Sequence, residues 1–255
     1  LFFADRVTQL PLGIIGIAVG TALLPLLSRQ LHASDGAAAM NSQNRALEFS
    51  LLLTLPAAVA LIVIAEPVIA VLFGRGAFGG PQILATAAAL EAYAYGLPAY
   101  VLIKTLAPGF FAREDTKTPV IIASCCMGLN LVLNLVLMGP FLHVGIAMAT
   151  AISSWVNAGI MAFVLHRRGH LVLDDRLKGR FLRTLWAVFG LGLALAGGMK
   201  TASAYFDGLE LTRIIALVVV VGGGCLVFAL LATLIGAARP SDLKGLLSRN
   251  EAPHS

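Results

Sequence analysis

The chain has 255 residues, 58% of them hydrophobic and only 12% charged, and carries a net charge of +5, with a mean hydropathy of +0.89. Soluble domains average about 25% charged residues, so this composition cannot clothe a 255-residue core in water and lipid is its natural solvent. It excludes an ordinary soluble fold and predicts an all-α integral membrane protein.

A helix crosses a bilayer with about 20 mostly apolar residues. In chain order the apolar blocks predict spans over 2–27, 46–66, 82–106, 119–138, 144–165, 182–200 and 213–236. Residues 118–165 form one apolar stretch, divided here into two spans at Gly139-Pro140. Between the first two spans, Ser34 or Asp35 is placed to cap a short helix leading inward. The first five spans are rich in small residues, which let helices approach closely in lipid. Pro11, Pro25, Pro56 and Pro98 lie in or near them, as packing kinks or as bends lining a cavity. The last two are plain Leu/Val/Ala/Gly helices. They follow the longest basic loop, 166–181, and read as an appended pair over 182–238. A polar tail, 239–255, completes the chain, with one interfacial turn expected at 242–247.

Lys and Arg are retained on the cytoplasmic side of membrane proteins. With seven spans, alternate loops place 13 of the 18 basic residues on one side and 3 on the other, Arg6 and Lys104 lying within spans. That asymmetry supports the count and predicts a cytoplasmic C-terminus. The net charge is therefore topological, with some attraction to anionic membrane lipids, and no nucleic-acid partner is expected. Cys125, Cys126 and Cys225 lie inside spans with no metal-ligand spacing. The chain opens at Leu1 inside an apolar segment, and an odd number of spans reads as a fragment lacking its N-terminal part.

Ionisable residues within spans mark candidate sites, because each is costly in lipid and faces a cavity or a partner. Asp5 and Arg6 are adjacent. A guanidinium suits phosphate through its planar fork of donors, but Arg6 lies about one membrane thickness from Arg29 and equally fits an interfacial anchor. Glu91 is mid-span, placed to neutralise a cation or to hydrogen-bond between helices. Lys104 reads as a snorkelling residue or a second contact for an anion. Asn130 and Asn134 share a helix face, and Thr150, Ser153, Ser154 and Asn157 add oxygens on the next span. They suit interhelical hydrogen bonding or a weak sodium site. Gly74-Arg75-Gly76-Ala77-Phe78-Gly79 matches a dinucleotide fingerprint in letters only, since the strand, helix and acidic partner that give it meaning are not expected there. No Walker, zinc-protease or serine-hydrolase motif occurs, so ATP hydrolysis is not expected, and any transport would be driven by gradients or membrane potential.

Three stretches together resemble the MurJ/MviN lipid II flippases of the multidrug/oligosaccharidyl-lipid/polysaccharide exporter superfamily. They are Ala4–Arg29, beginning Ala-Asp-Arg-Val-Thr-Gln-Leu-Pro, then Leu72–Phe78, and the most specific block, Lys104–Val120, which includes Pro-Gly-Phe-Phe-Ala-Arg-Glu-Asp-Thr-Lys-Thr-Pro. The resemblance implies a fold of fourteen transmembrane helices, with this chain at helices eight to fourteen. Residues 1–165 would be the C-terminal transport lobe without its first helix. It also implies alternating access in the bacterial inner membrane, with an undecaprenyl-pyrophosphate-linked peptidoglycan precursor as substrate. The N-terminal lobe of the same chain would be the partner. Arg6 matches a cavity arginine of the family, and Asp5, Gln9, Glu91 and Lys104 join it as substrate-binding candidates. Some members bind sodium, for which Asn130, Asn134 and Thr150 are the matching oxygens. No other cofactor is implied. Another exporter of the superfamily, or a membrane enzyme acting on polyprenyl phosphates, are the alternatives. The enzyme would need clustered acids or histidines at one membrane face.

Overall fold

A computed structural model describes residues 1–75, 78–206 and 210–238. All regular structure in these residues is helical. The helices are α1 (Phe2–His32), α2 (Gly36–Val63), α3 (Ala65–Phe73), α4 (Gly80–Phe111), α5 (Lys117–Arg167), α6 (Asp175–Phe206) and α7 (Glu210–Leu234).

Seven helices match the expected number of spans, but two boundaries fall elsewhere. The second expected span is split at Ile64, where α2 stops and α3 begins. The fourth and fifth are assigned as one 51-residue helix, α5, broken by a non-helical Leu142 (φ 50°, ψ −128°). A straight helix of that length would reach about 77 Å, far more than the 30 Å of a bilayer's hydrocarbon. The break makes two arms, 117–141 and 143–167, that lie side by side. It falls two residues beyond Pro140 rather than at Gly139-Pro140. His143 ties the break to α4 through a 2.9 Å contact with the Ala85 carbonyl. The arms approach so closely that a Cβ on Gly145 would stand 2.3 Å from the Leu137 carbonyl oxygen.

Asp35, at the start of α2, accepts a 2.8 Å bond from the Ala38 amide. The expected short helix is thus continuous with the second span. α6 starts inside the loop expected at 166–181, which leaves 168–174 as the connection. The interfacial turn expected at 242–247 and the tail 239–255 lie outside the described residues.

α4 is the hub. It packs against α1, α2, α3 and α5, and half of its 32 residues are buried. Among the described residues five helices are long and apolar enough to cross a membrane, with α5 counted as one, and α4 is not among them. Its neighbours shield it, so its surface need not match lipid. The outer helices show the converse. Met127, Leu131, Leu135 and Val136 on α5, and Val218, Val219, Leu226 and Leu230 on α7, are all more than half exposed, as a lipid-facing surface requires.

α6 and α7 pack on each other, reach α2 through α6 and reach α3 through α7. Their shared core gathers Leu191, Leu195 and Val220 around Ile64, at the α2–α3 break. At the basic end, a second core joins Leu47 of α2, Phe110 of α4, Met161 and Leu165 of α5 and Leu177 of α6.

Candidate functional site: a polar seam between α1 and α4

Asp5, Arg6 and Gln9 sit in the first turns of α1. The amide of Gln9 donates to Asp5 Oδ2 at 2.5 Å, and Arg6 Nη1 donates to Gln9 Oε1 at 3.0 Å. The spacings i,i+4 and i,i+3 bring all three to one side of the helix. The Arg6 guanidinium also stands 5.0 Å from the centroid of the Phe2 ring. Gln9 therefore bridges carboxylate to guanidinium, so Arg6 is oriented without spending its fork on a direct ion pair. Arg6 and Gln9 are exposed and Asp5 half-buried. Five N–H donors on a guanidinium, one of them engaged by Gln9, leave an edge able to take a phosphate or pyrophosphate oxygen.

α4 faces this stripe with its own. Tyr93, Leu97, Tyr100 and Lys104 recur at helical spacing on one face. Farther along, the Lys104 side chain lies on α1 at Gly16, where a Cβ would come within 2.6 Å of Lys104 Cδ. Lys104 is exposed, seven residues before the end of α4. Glu91 is brought to none of these groups. It is exposed on another face of α4, beside Tyr95, whose carbonyl accepts from the Trp155 indole at 2.9 Å.

The oxygens of α5 form a separate cluster between its arms. Asn130 donates to Ser153 Oγ at 3.1 Å and accepts from Asn134 at 3.0 Å. The Thr150 hydroxyl is spent on the Ile146 carbonyl at 3.0 Å. The open groove here, about 230 Å³, is lined by Asn130, Thr150, Ser153, Ser154 and Asn157 with Cys126 and Met127. Oδ1 of Asn134 and Oδ1 of Asn157 are buried with no partner among the described residues. No group of three His, Cys, Asp or Glu that could hold a metal occurs among the described residues.

Two clusters at the basic end went unrecognised in the sequence. Glu48 of α2, only 8% exposed, takes the guanidiniums of Arg45 and Arg180 together, with Arg176 at 3.5 Å. Arg45 also pairs with Asp174, which caps α6 by accepting from the Leu177 amide at 2.8 Å, and Asn44 donates to the Val172 carbonyl at 2.8 Å. These bonds fasten α2 to the start of α6. The second cluster closes the α5 hairpin. Asp115 accepts from the Thr118 amide at 3.0 Å and from Arg168 at 2.5 Å, and Arg168 also donates to Thr118 Oγ1 at 3.1 Å. Its bonds to Thr118, then the Arg168 guanidinium, hold the Asp115 carboxyl down at about 2. Burial, then the charges of Arg113 and Arg168, pushes the nearby His170 below its usual value. Glu48 stands at the start of the expected 46–66 span beside Arg45, but Arg176 and Arg180 lie about 130 residues away, so no local pattern marked the cluster.

Long lipid-facing helices around a shielded central helix define a multi-spanning helical membrane protein. The family model described as "Lipid II flippase MurJ" matches residues 1–217. A probable lipid II flippase MurJ of Rhizobium meliloti (strain 1021) is 46% identical over 195 residues, which are 76% of this chain and 36% of the relative. One of Vibrio cholerae is 37% identical over 206 residues, 80% of this chain and 37% of the relative. A solved structure titled "Lipid II flippase MurJ, inward closed conformation" superposes with a TM-score of 0.71 at 25% identity, over 91% of this chain and 45% of the other. The chain thus spans a little over a third of the length of these curated relatives. It belongs to the lipid II flippase MurJ family, and its apolar helices make it a multi-pass protein of the inner membrane.

Proposed function

We propose that this chain is the C-terminal part of a lipid II flippase and forms one wall of its translocation path. The observation that carries this reading is the Asp5–Gln9–Arg6 relay, an oriented guanidinium at one end of a seam inside a membrane protein of this family. Residues 1–165 would act as the transport lobe, with α6 and α7 as an appended pair over 182–238. The basic end, including the tail, would face the cytoplasm by the positive-inside rule. Arg6, with Asp5 and Gln9, would take the pyrophosphate of an undecaprenyl-linked peptidoglycan precursor. Lys104 lies on the same seam and Glu91 off it. The remainder of the flippase would supply the facing wall and further cationic groups, and membrane lipids would bathe the outer helices. Alternating access would be driven by membrane potential or an ion gradient.

The test is complementation of flippase-depleted cells by the full-length protein. Arg6→Ala should give no rescue at normal membrane levels, and Arg6→Lys should fail as well if the paired hydrogen bonds of the fork matter. Full rescue by Arg6→Ala would refute the assigned role. Asn130, Asn134 and Thr150 are assigned first to holding the α5 arms together. Sodium would have to use the unpartnered oxygens of Asn134 and Asn157. A melting temperature raised by sodium but not by potassium, and lost in Asn134→Leu, would establish the ion.

A further inference from the structure

At the end of the molecule away from the basic loop, α3 packs on α7. A small pocket opens there, with Ala70, Gly74 and Arg75 on one side and Glu210, Arg213 and Ile214 on the other. The sparsely charged side of the chain carries three basic residues, Arg75, Lys200 and Arg213, and two of them converge on this pocket.

Gly74 makes the convergence possible. Its amide closes α3 on the Ala70 carbonyl at 2.9 Å, and a Cβ on it would lie 2.3 Å from that oxygen. The tight exit carries Arg75 to α7, where its Nε stands 3.5 Å from Glu210 Oε1. Both partners are exposed, so the pair by itself adds little stability, and among the described residues the terminal nitrogens of Arg75 meet no acid. Arg213 lies beside them, half-buried. Its Nε is buried without a hydrogen-bond partner among the described residues, and a buried donor left unmade is costly.

The level of the pocket points to what fills it. The 25 residues of α7 reach about 37 Å, more than the roughly 30 Å of hydrocarbon. The ends of α7, including the turn that carries Glu210 and Arg213, therefore reach headgroup level. Leu211 and Ile215 flank Arg213 and are 68% and 54% exposed, so an apolar track runs from the arginine towards the membrane interior.

We propose that Arg75, Arg213 and Glu210 form a headgroup site for a membrane phospholipid, which places its phosphodiester between α3 and α7. Two guanidiniums against one carboxylate leave one positive charge, which matches the single negative charge of a phosphodiester. The Nε of Arg213 and the terminal nitrogens of Arg75 supply the donors, and the acyl chains lie along Leu211 and Ile215. The lipid staples α7 to α3 at the end far from the Glu48 cluster, and the site is separate from the α1–α4 seam.

The test measures binding to the full-length protein in detergent. The probe is dihexanoyl phosphatidylglycerol, with dihexanoylglycerol as its phosphate-free control and inorganic phosphate as the water-borne anion. Arg213→Gln should weaken the phospholipid about tenfold or more, the scale of a lost charge-assisted contact. Arg75→Gln, at an exposed position that leaves the fold intact, should weaken it several-fold. Dihexanoylglycerol should bind both variants as it binds wild type. Lys178→Gln removes the same charge at the opposite end and should bind the phospholipid like wild type. An equal loss in Lys178→Gln, or wild-type affinity in both arginine variants, would overturn the site. Wild type that binds dihexanoylglycerol or inorganic phosphate as tightly as the phospholipid would overturn it as well.

Discussion

The α1–α4 seam and the Glu48 cluster use the same residue types in opposite ways. At Glu48, guanidiniums from α2 and α6 converge on one buried carboxylate and join the two helices. On the seam, Arg6 is steered by a neutral glutamine and the Lys104 stem lies against Gly16, and among the described residues neither cation makes a direct ion pair with a protein acid. A cation placed to meet a ligand must be held by something that does not neutralise it. One placed to hold helices together is best neutralised where it stands.

Breaking the seam should cost function with little loss of stability. Arg6→Ala should reduce flipping to background in a vesicle-based assay, the largest effect expected, with an unchanged melting temperature. Breaking the cluster should do the reverse. Removing one partner of a buried ion pair typically costs about 3–5 kcal/mol, so Glu48→Ala, which strips Arg45 and Arg180 of their shared carboxylate, should lower the melting temperature of the purified protein sharply. Glu48→Ala melting like wild type would show that the cluster is not structural.

Smaller effects should follow at the hairpin. Gly145→Ala drives a methyl into the backbone of Leu137, which cannot give way as a flexible side chain would, and should cost about 1–3 kcal/mol. Asp115→Asn should cost about 0.2–1 kcal/mol, the range of partly exposed ion pairs, and its effect depends on pH. The Asp115 carboxyl is lowered from 3.8 to about 2. Its contribution is therefore complete above about 4 and disappears as pH falls through about 2. Wild type and Asp115→Asn should differ in stability at pH 6 and converge at the acid end, as melting curves across that range would show. A gap that persists at pH 2 would assign the effect to geometry rather than charge.

The site was partly legible in the sequence. Asp5, Arg6 and Gln9 are close along one helix, so their spacing alone puts them on one face. Lys104 was visible as a charge inside a span, but its direction was not, because that depends on Gly16 of another helix 88 positions away. Glu91 stood out for the same reason as Lys104, and only the packing of α4 shows that it lies off the seam. Glu48 escaped notice because a glutamate three residues after an arginine is ordinary on a helix until Arg176 and Arg180, about 130 positions away, converge on it.

Composition and hydrophobic blocks by themselves determined that the chain is a helical membrane protein with seven helices' worth of apolar sequence, because the cost of exposing backbone and charge to lipid acts locally along each segment. Tertiary structure alone decided where the second span divides, that α5 breaks at Leu142 rather than at Gly139-Pro140, that α4 is the shielded hub and which charges are spent on one another. Those outcomes depend on contacts between residues far apart in sequence, and no local preference records them.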